Sequence, residues 1–239
     1  MNRTDNNCLN RGFCGKKNEE IWTYYREDKI DALLYGADTI LEKQPEKDLI
    51  KRICSALLQH IFSPPWDQGN MWTGACYATS AILYVLFCEI GLSPSPCIGV
   101  VSHPLGIKFD HSWIEVNGEV YDMAICCPLV GAMALPPVIR NRNAETGEFV
   151  QAIYGIKHDY GLDNGAIKIL RKNIGAYMDG FSAFLSSNHP NYTYIFPEKV
   201  NGLWDIASDI GRIVGLTASV SLLRNKYGRD TWIHKSANY

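Results

Sequence analysis

Long apolar runs are missing from this chain. A membrane-crossing helix needs roughly twenty predominantly apolar residues, and neither residues 75–88 nor residues 213–223 approach that length without interruption. No membrane span and no membrane partner are therefore expected. Charge of one sign is missing as well. Lys and Arg number 23 against 25 Asp and Glu, a net charge of −2, and no Lys/Arg cluster is dense enough to track a phosphate backbone. That argues against nucleic acid as a partner. The opening MNRTDNNCLNRG lacks the apolar stretch of a secretory signal, so the expected location is the cytoplasm. Internal repeats and low-complexity tracts are lacking too. Of eight cysteines, Cys8 and Cys14 have no second pair at zinc-ligand spacing, so no metal site is expected. Without a secretory signal, reduced and mostly buried thiols are the default.

What is present is enough for one sizeable core: 239 residues, 46% of them hydrophobic and 20% charged. Residues 1–18 are polar and turn-rich and read as a loose arm; residues 19–239 read as a single domain with its core over residues 66–127. Residues 19–41 carry Ile21, Tyr24, Tyr25, Ile30, Leu33, Leu34 and Ala37 at loose helical spacing, and residues 48–61 predict a further helix with Leu49, Ile50, Ile53, Leu57 and Ile61 on one side. Residues 63–70, SPPWDQGN, form a loop. Residues 128–149 read as another, long enough to suggest a role over a substrate. A helical extension is expected over residues 160–239, with a break near Gly175 or Gly180 and one long helix over residues 203–223.

The informative stretch is residues 72–124. Ala81, Ile82, Val85, Leu86 and Ile90 recur at helical spacing, which predicts a buried helix over residues 74–90, stopped by Gly91 and barred from resuming by Pro94 and Pro96. With Thr73 or Gly74 as the N-cap, Cys76 falls in the first turn. Free backbone N–H groups and the positive end of the helix dipole favour a thiolate there. No other cysteine has that setting. Cys54, Cys88 and Cys97 occupy apolar helix or strand positions, while Cys126 and Cys127 read as neighbours on a strand, pointing to opposite faces and serving packing. His103 reads as a loop histidine with no evident partner.

After the helix comes a hairpin. Residues 111–116 and 119–123 flank Asn117-Gly118, the preferred pair for a two-residue type I′ turn. That turn sets Val116 opposite Glu119, Glu115 opposite Val120, Trp113 opposite Asp122 and His111 opposite Ala124. Side chains alternate across a strand, so His111, Trp113 and Asp122 share one face, with Asp122 diagonal to His111. Cys76, His111 and Asp122 thus supply a nucleophile, a base and a group to orient the base, the roles that thiol-based acyl transfer needs. Glu115 shares the face but lies too near the turn to serve His111.

These residues resemble a known family. Gly74-Ala75-Cys76, the strand His111-Ser112-Trp113-Ile114-Glu115-Val116 and the following Tyr121-Asp122 look like the transglutaminase-like branch of the papain-type cysteine enzymes. Within it, residues 91–113, with Cys97-Ile98-Gly99-Val100, also look like the leader peptidases of lasso-peptide biosynthesis. The resemblance implies an α+β fold in which a helix headed by the cysteine packs on an antiparallel sheet, with extra helices at both ends. It implies Cys76, His111 and Asp122 as catalytic residues, no cofactor, and a protein or peptide substrate whose amide is cleaved, deamidated or transamidated through a thioester. By analogy with the family's use of an amide shortly before the cysteine, Asn70 and then Gln68 are oxyanion-hole candidates, with the Cys76 N–H as second donor; Trp72 and Trp113 are candidates for lining the substrate cleft. Two alternatives stand beside this. One is an arylamine N-acetyltransferase-like enzyme, although Met71-Trp72-Thr73-Gly74-Ala75 replaces the Arg-Gly-Gly approach to the cysteine. The other is an inactive relative that only binds peptides.

Overall fold

The computed structural model describes residues 30–62, 75–127, 134–188 and 201–236. Two short helices, α1 (Ile30–Leu33) and α2 (Ala37–Ile40), precede α3 (Lys47–Phe62). Helix α3 buries Ile50, Ile53, Cys54, Leu57, Leu58 and Ile61 at helical spacing and keeps its charged residues toward solvent. The helix that bears the nucleophile candidate, α4 (Cys76–Glu89), is buried on nearly every side, Thr79 and Ser80 included. Thr79 turns its hydroxyl onto its own helix, donating to the Cys76 carbonyl at 2.9 Å, which makes its burial tolerable. The helix starts two residues later than the sequence predicts. Ala75, with no capping side chain, is its N-cap, and Cys76 is its first residue.

Gly91 ends α4 as expected. Its φ of 85° admits the Schellman pair, Leu92 N–H to the Phe87 carbonyl at 3.0 Å and Gly91 N–H to the Cys88 carbonyl at 3.0 Å. The chain then enters β1 (Pro94–Ser102), β2 (Lys108–Val116) and β3 (Glu119–Asp122). The hairpin register is the predicted one: Val116 opposite Glu119, Glu115 opposite Val120, Ile114 opposite Tyr121. Asn117 at φ 53° and Gly118 at φ 78° both take the left-handed conformation that a type I′ turn demands.

Residues 134–149 are not the open loop the sequence suggests. They contain a second tight hairpin, β4 (Val138–Ile139) and β5 (Arg142–Asn143), turned through Arg140 and Asn141 at φ 53° and 60°. Neither turn residue is glycine, which is why the signal was weak; Arg140 is held by a two-pronged bond to Glu119, at 2.6 and 2.9 Å. A sixth strand, β6 (Ile153–Ile156), follows. The sheet order is β5-β4-β3-β2-β1-β6, antiparallel throughout. A seventh strand, β7 (Ile233–Lys235), runs parallel to β1. It takes the outer edge of β1 at residues 97–99 and β6 takes the same edge at residues 100–102. Pro94 and Pro96 stand ahead of that doubly paired stretch, where a missing N–H costs nothing.

The C-terminal helices are α5 (Asn164–Leu170), α6 (Ile174–Asn188), α7 (Leu203–Ile213) and α8 (Val220–Tyr227). The break between α5 and α6 falls just ahead of Gly175. The single helix predicted over residues 203–223 is two. Gly215, at φ 89°, terminates α7, Leu216 N–H reaches back to the Gly211 carbonyl at 2.8 Å, and Ser219 caps α8 by accepting from Leu222 N–H. Nor is the extension helical to its end, since β7 returns to the sheet.

Ile98, Ile114, Val116 and Tyr121 pack beneath α4 in a core shared with α3 and α7. The opposite face carries a smaller cluster, Cys97, Val101, Trp113, Val120 and Val138, closed by Ile125, Leu135 and Ala152. Cys126 and Cys127 lie in the turn after β3 rather than on a strand, both buried, with sulfurs 3.7 Å apart. Among the described residues no helix is long and apolar enough to cross a membrane.

Candidate active site

Three elements converge on the candidate site: the N-terminus of α4, the start of the β2 core segment, and the end of β3. Cys76, His111 and Asp122 retain only 6%, 5% and 1% exposure. His111 Nε2 donates to Asp122 Oδ2 at 2.7 Å, which leaves Nδ1 as the ring nitrogen free for the thiol. Burial alone would push the imidazole down. The Asp122 carboxylate bonded to the ring, together with the Cys76 sulfur, outweighs it and raises His111 to about 10. The protonated ring is favoured by both neighbours. Phe109 stands edge-on to the imidazole, with centroids 5.5 Å apart, and fixes its tilt.

Asp122 is held from every side. Its Oδ1 accepts the backbone N–H groups of Ala124 and Ile125 at 2.9 and 3.1 Å, and its Oδ2 accepts, besides His111, the hydroxyl of Tyr154 at 2.9 Å. The two amides come from the turn that follows β3, so the carboxylate caps the chain's own reversal. Four donors on a buried carboxylate fix its orientation.

Tyr154 was not foreseen. It lies on β6, in Ile153-Tyr154-Gly155-Ile156, too short a stretch to show a period, and only its pairing with Val101 brings it onto the face of His111 and Trp113. A second unforeseen group surrounds the cysteine. Tyr77 of α4, Tyr177 of α6 and Trp232 form an edge-to-face cluster with centroids 5.7 to 6.4 Å apart. Both tyrosines feel the Cys76 sulfur, and burial keeps their phenols protonated. Aromatic residues in the C-terminal third were the only available signal.

Trp113 does not line a cleft. It is fully buried, stacked edge-on against Tyr154 at 5.1 Å, and its Nε1 donates to Glu115 at 3.0 Å. Beside the polar site groups, its face of the sheet carries the smaller apolar cluster, and the indole fills volume within it. Glu115 is bound on its other side by Lys235 of β7 at 2.6 Å, and is thus occupied away from His111. His103 lies in the β1–β2 loop as expected, but it is buried and has a partner, accepting the Leu105 N–H at 3.1 Å. Asn70, Gln68 and Trp72 lie outside the described residues, as do Thr73 and Gly74. A cavity of about 250 Å³ opens farther along β2, lined by Phe109, Asp110, His158, Tyr160 and Asp163.

Chemically, the arrangement offers a thiol at a helix N-terminus, an imidazole that can exchange its proton, and a carboxylate fixed to keep that imidazole in one orientation. No protein-family model, curated protein or solved structure matches the chain.

Proposed function

We propose that this chain is a thiol-dependent acyl-transfer enzyme acting on peptide or glutamine-type amides, with hydrolysis the first reaction to test. The observation that supports the reading most is His111 buried between Cys76 and Asp122, its Nε2 committed to the carboxylate at 2.7 Å and its charged form favoured by both neighbours. In this reading the Cys76 sulfur attacks the amide carbonyl carbon and the C–N bond breaks. The leaving amine takes its proton from His111 Nδ1, and a thioester remains on Cys76. Water, or an amine in a transamidation, then attacks the thioester while His111 takes its proton, and the thiolate leaves. Asp122 orients the ring and stabilises the imidazolium. The Cys76 N–H, on the first residue of α4, is the donor this reading assigns to the oxyanion.

The reading is tested by trapping. The protein is mixed with a library of peptides, quenched in acid, and the Cys76-containing fragment is weighed. A mass increase that hydroxylamine removes, and that is absent in Cys76→Ser, supports the thioester and identifies the acyl donor. A Cys76→Ala variant that keeps wild-type turnover removes the proposal.

A further inference from the structure

We infer that Tyr154 is a positioning residue of this site, its hydroxyl limiting how tightly Asp122 holds the His111 imidazolium. The inference rests on the catalytic reading above and extends it to a fourth residue.

Geometry carries it. The hydroxyl donates at 2.9 Å to Asp122 Oδ2, the same oxygen that receives His111 Nε2–H at 2.7 Å. Two donors on one oxygen divide its negative charge between them, so each weakens what the other gains. Tyr154 is half-buried, and its ring is set edge-on against Trp113 with centroids 5.1 Å apart. Its backbone is fixed by pairing to β1 opposite Val101. Burial first, and then the Asp122 charge, hold its phenol well above the ordinary tyrosine range, so the group stays a donor. With Oδ1 occupied by the Ala124 and Ile125 amides, the carboxylate has no freedom to turn an unshared oxygen toward His111.

The consequence concerns proton return. An imidazolium held too firmly by its carboxylate is a poor acid toward the leaving amine. Tyr154 tempers that hold by sharing the same Asp122 oxygen. The other titratable groups facing this set are Cys76 and Tyr77 of α4, Tyr177 of α6, and Cys126 in the turn after β3, which also feels Asp122.

The experiment is the pH profile of Cys76 alkylation by iodoacetamide in the full chain, read from the mass of the Cys76 fragment, for wild type, His111→Ala and Tyr154→Phe. Removing the hydroxyl should strengthen the thiolate–imidazolium pair and move the profile to lower pH by roughly half to one unit, the scale of one hydrogen bond. His111→Ala should move it upward. A Tyr154→Phe profile superimposed on the wild type's, or above it, overturns the role of Tyr154 alone. A wild-type profile indifferent to His111→Ala overturns the catalytic reading and this inference together. Should Tyr154→Phe fail to fold, the unsubstituted protein still decides. The Tyr154 hydroxyl proton and the His111 Nε2–H, bonded to one oxygen, should show proton cross-relaxation at low field, and its absence when the His111 resonance is visible overturns the inference.

Discussion

Along β2, Ile114 and Val116 enter the large core beneath α4, whereas His111, Trp113 and Glu115 on the opposite face each carry a directional bond, to Asp122, to Glu115 and from Lys235. The first face is held by volume. Its contacts are many and non-directional, so similar shapes can substitute for one another. The second is held by hydrogen bonds among buried polar groups, where losing one partner strands the other. A single strand thereby separates the part of the protein packed into the main core from the part that carries the candidate site. Substitutions on the two faces should fail in different ways.

The largest effect is expected at Asp122. Asp122→Asn keeps the shape but cannot stabilise an imidazolium, and turnover of a peptide substrate should fall by roughly a thousandfold or more. The thermal midpoint should fall far less, since the amide can still accept the Ala124 and Ile125 N–H groups. Equal losses of activity and stability would erase the contrast between the faces. On the volume side, Ile114→Ala should cost about 2–5 kcal/mol in denaturant unfolding and Ile114→Val about 0.5–1.5. Both variants should alkylate at Cys76 with a wild-type pH profile.

The raised pKa of His111 makes stability depend on pH. A basic group whose pKa is higher folded than unfolded contributes stability fully below its unfolded value and loses it as the pH climbs through the folded one. With His111 ordinarily near 6.5 and held at about 10, that contribution should drain away between those pH values. Thermal midpoints should therefore slope downward from neutral to alkaline pH, and His111→Gln should flatten the slope. A slope unchanged by the substitution would assign it to other groups. The smallest effect is expected at Glu115. Glu115→Gln retains an acceptor for Trp113 and loses only a solvent-screened ion pair to Lys235, worth within about 1 kcal/mol. A crippled Glu115→Gln enzyme beside an active Asp122→Asn would reassign the orienting carboxylate.

The same division explains what could be read in advance. Asn117-Gly118 dictates its turn from two adjacent residues, and the register, the shared face of His111 and Asp122, and their approach all follow by counting. Cys76 at the head of α4 was legible because Gly91 and the apolar spacing bracket the helix. Tyr154 was not, because β6 owes its place to pairing with a strand some fifty positions earlier rather than to any local pattern. The split between α7 and α8 was missed at Gly215, whose Schellman turn outweighs the apolar periodicity running through it. Trp113 was misplaced for a subtler reason. Its position on the site face was right, but that face is itself roofed by Leu135 and Val138, which come from residues 128–149, a region that reads as loop. Local chemistry was visible; the layers brought over it by distant pairing were not.

The outer edge of β1 carries a consequence for how the protein is made. Gly99 sits so close to the Lys235 carbonyl that a Cβ would lie 2.5 Å from it, and Lys235 is tied to Glu115 across 120 positions of chain. The β1–β2–β3 meander, local and quick to close, will have left the ribosome long before β7 emerges. Until then residues 97–99 offer unpaired N–H and C=O groups along a strand rich in Val and Ile, an open invitation to another nascent chain. Translation rate and chaperone supply over that interval, rather than the thermodynamics of the finished fold, should govern how much soluble protein accumulates.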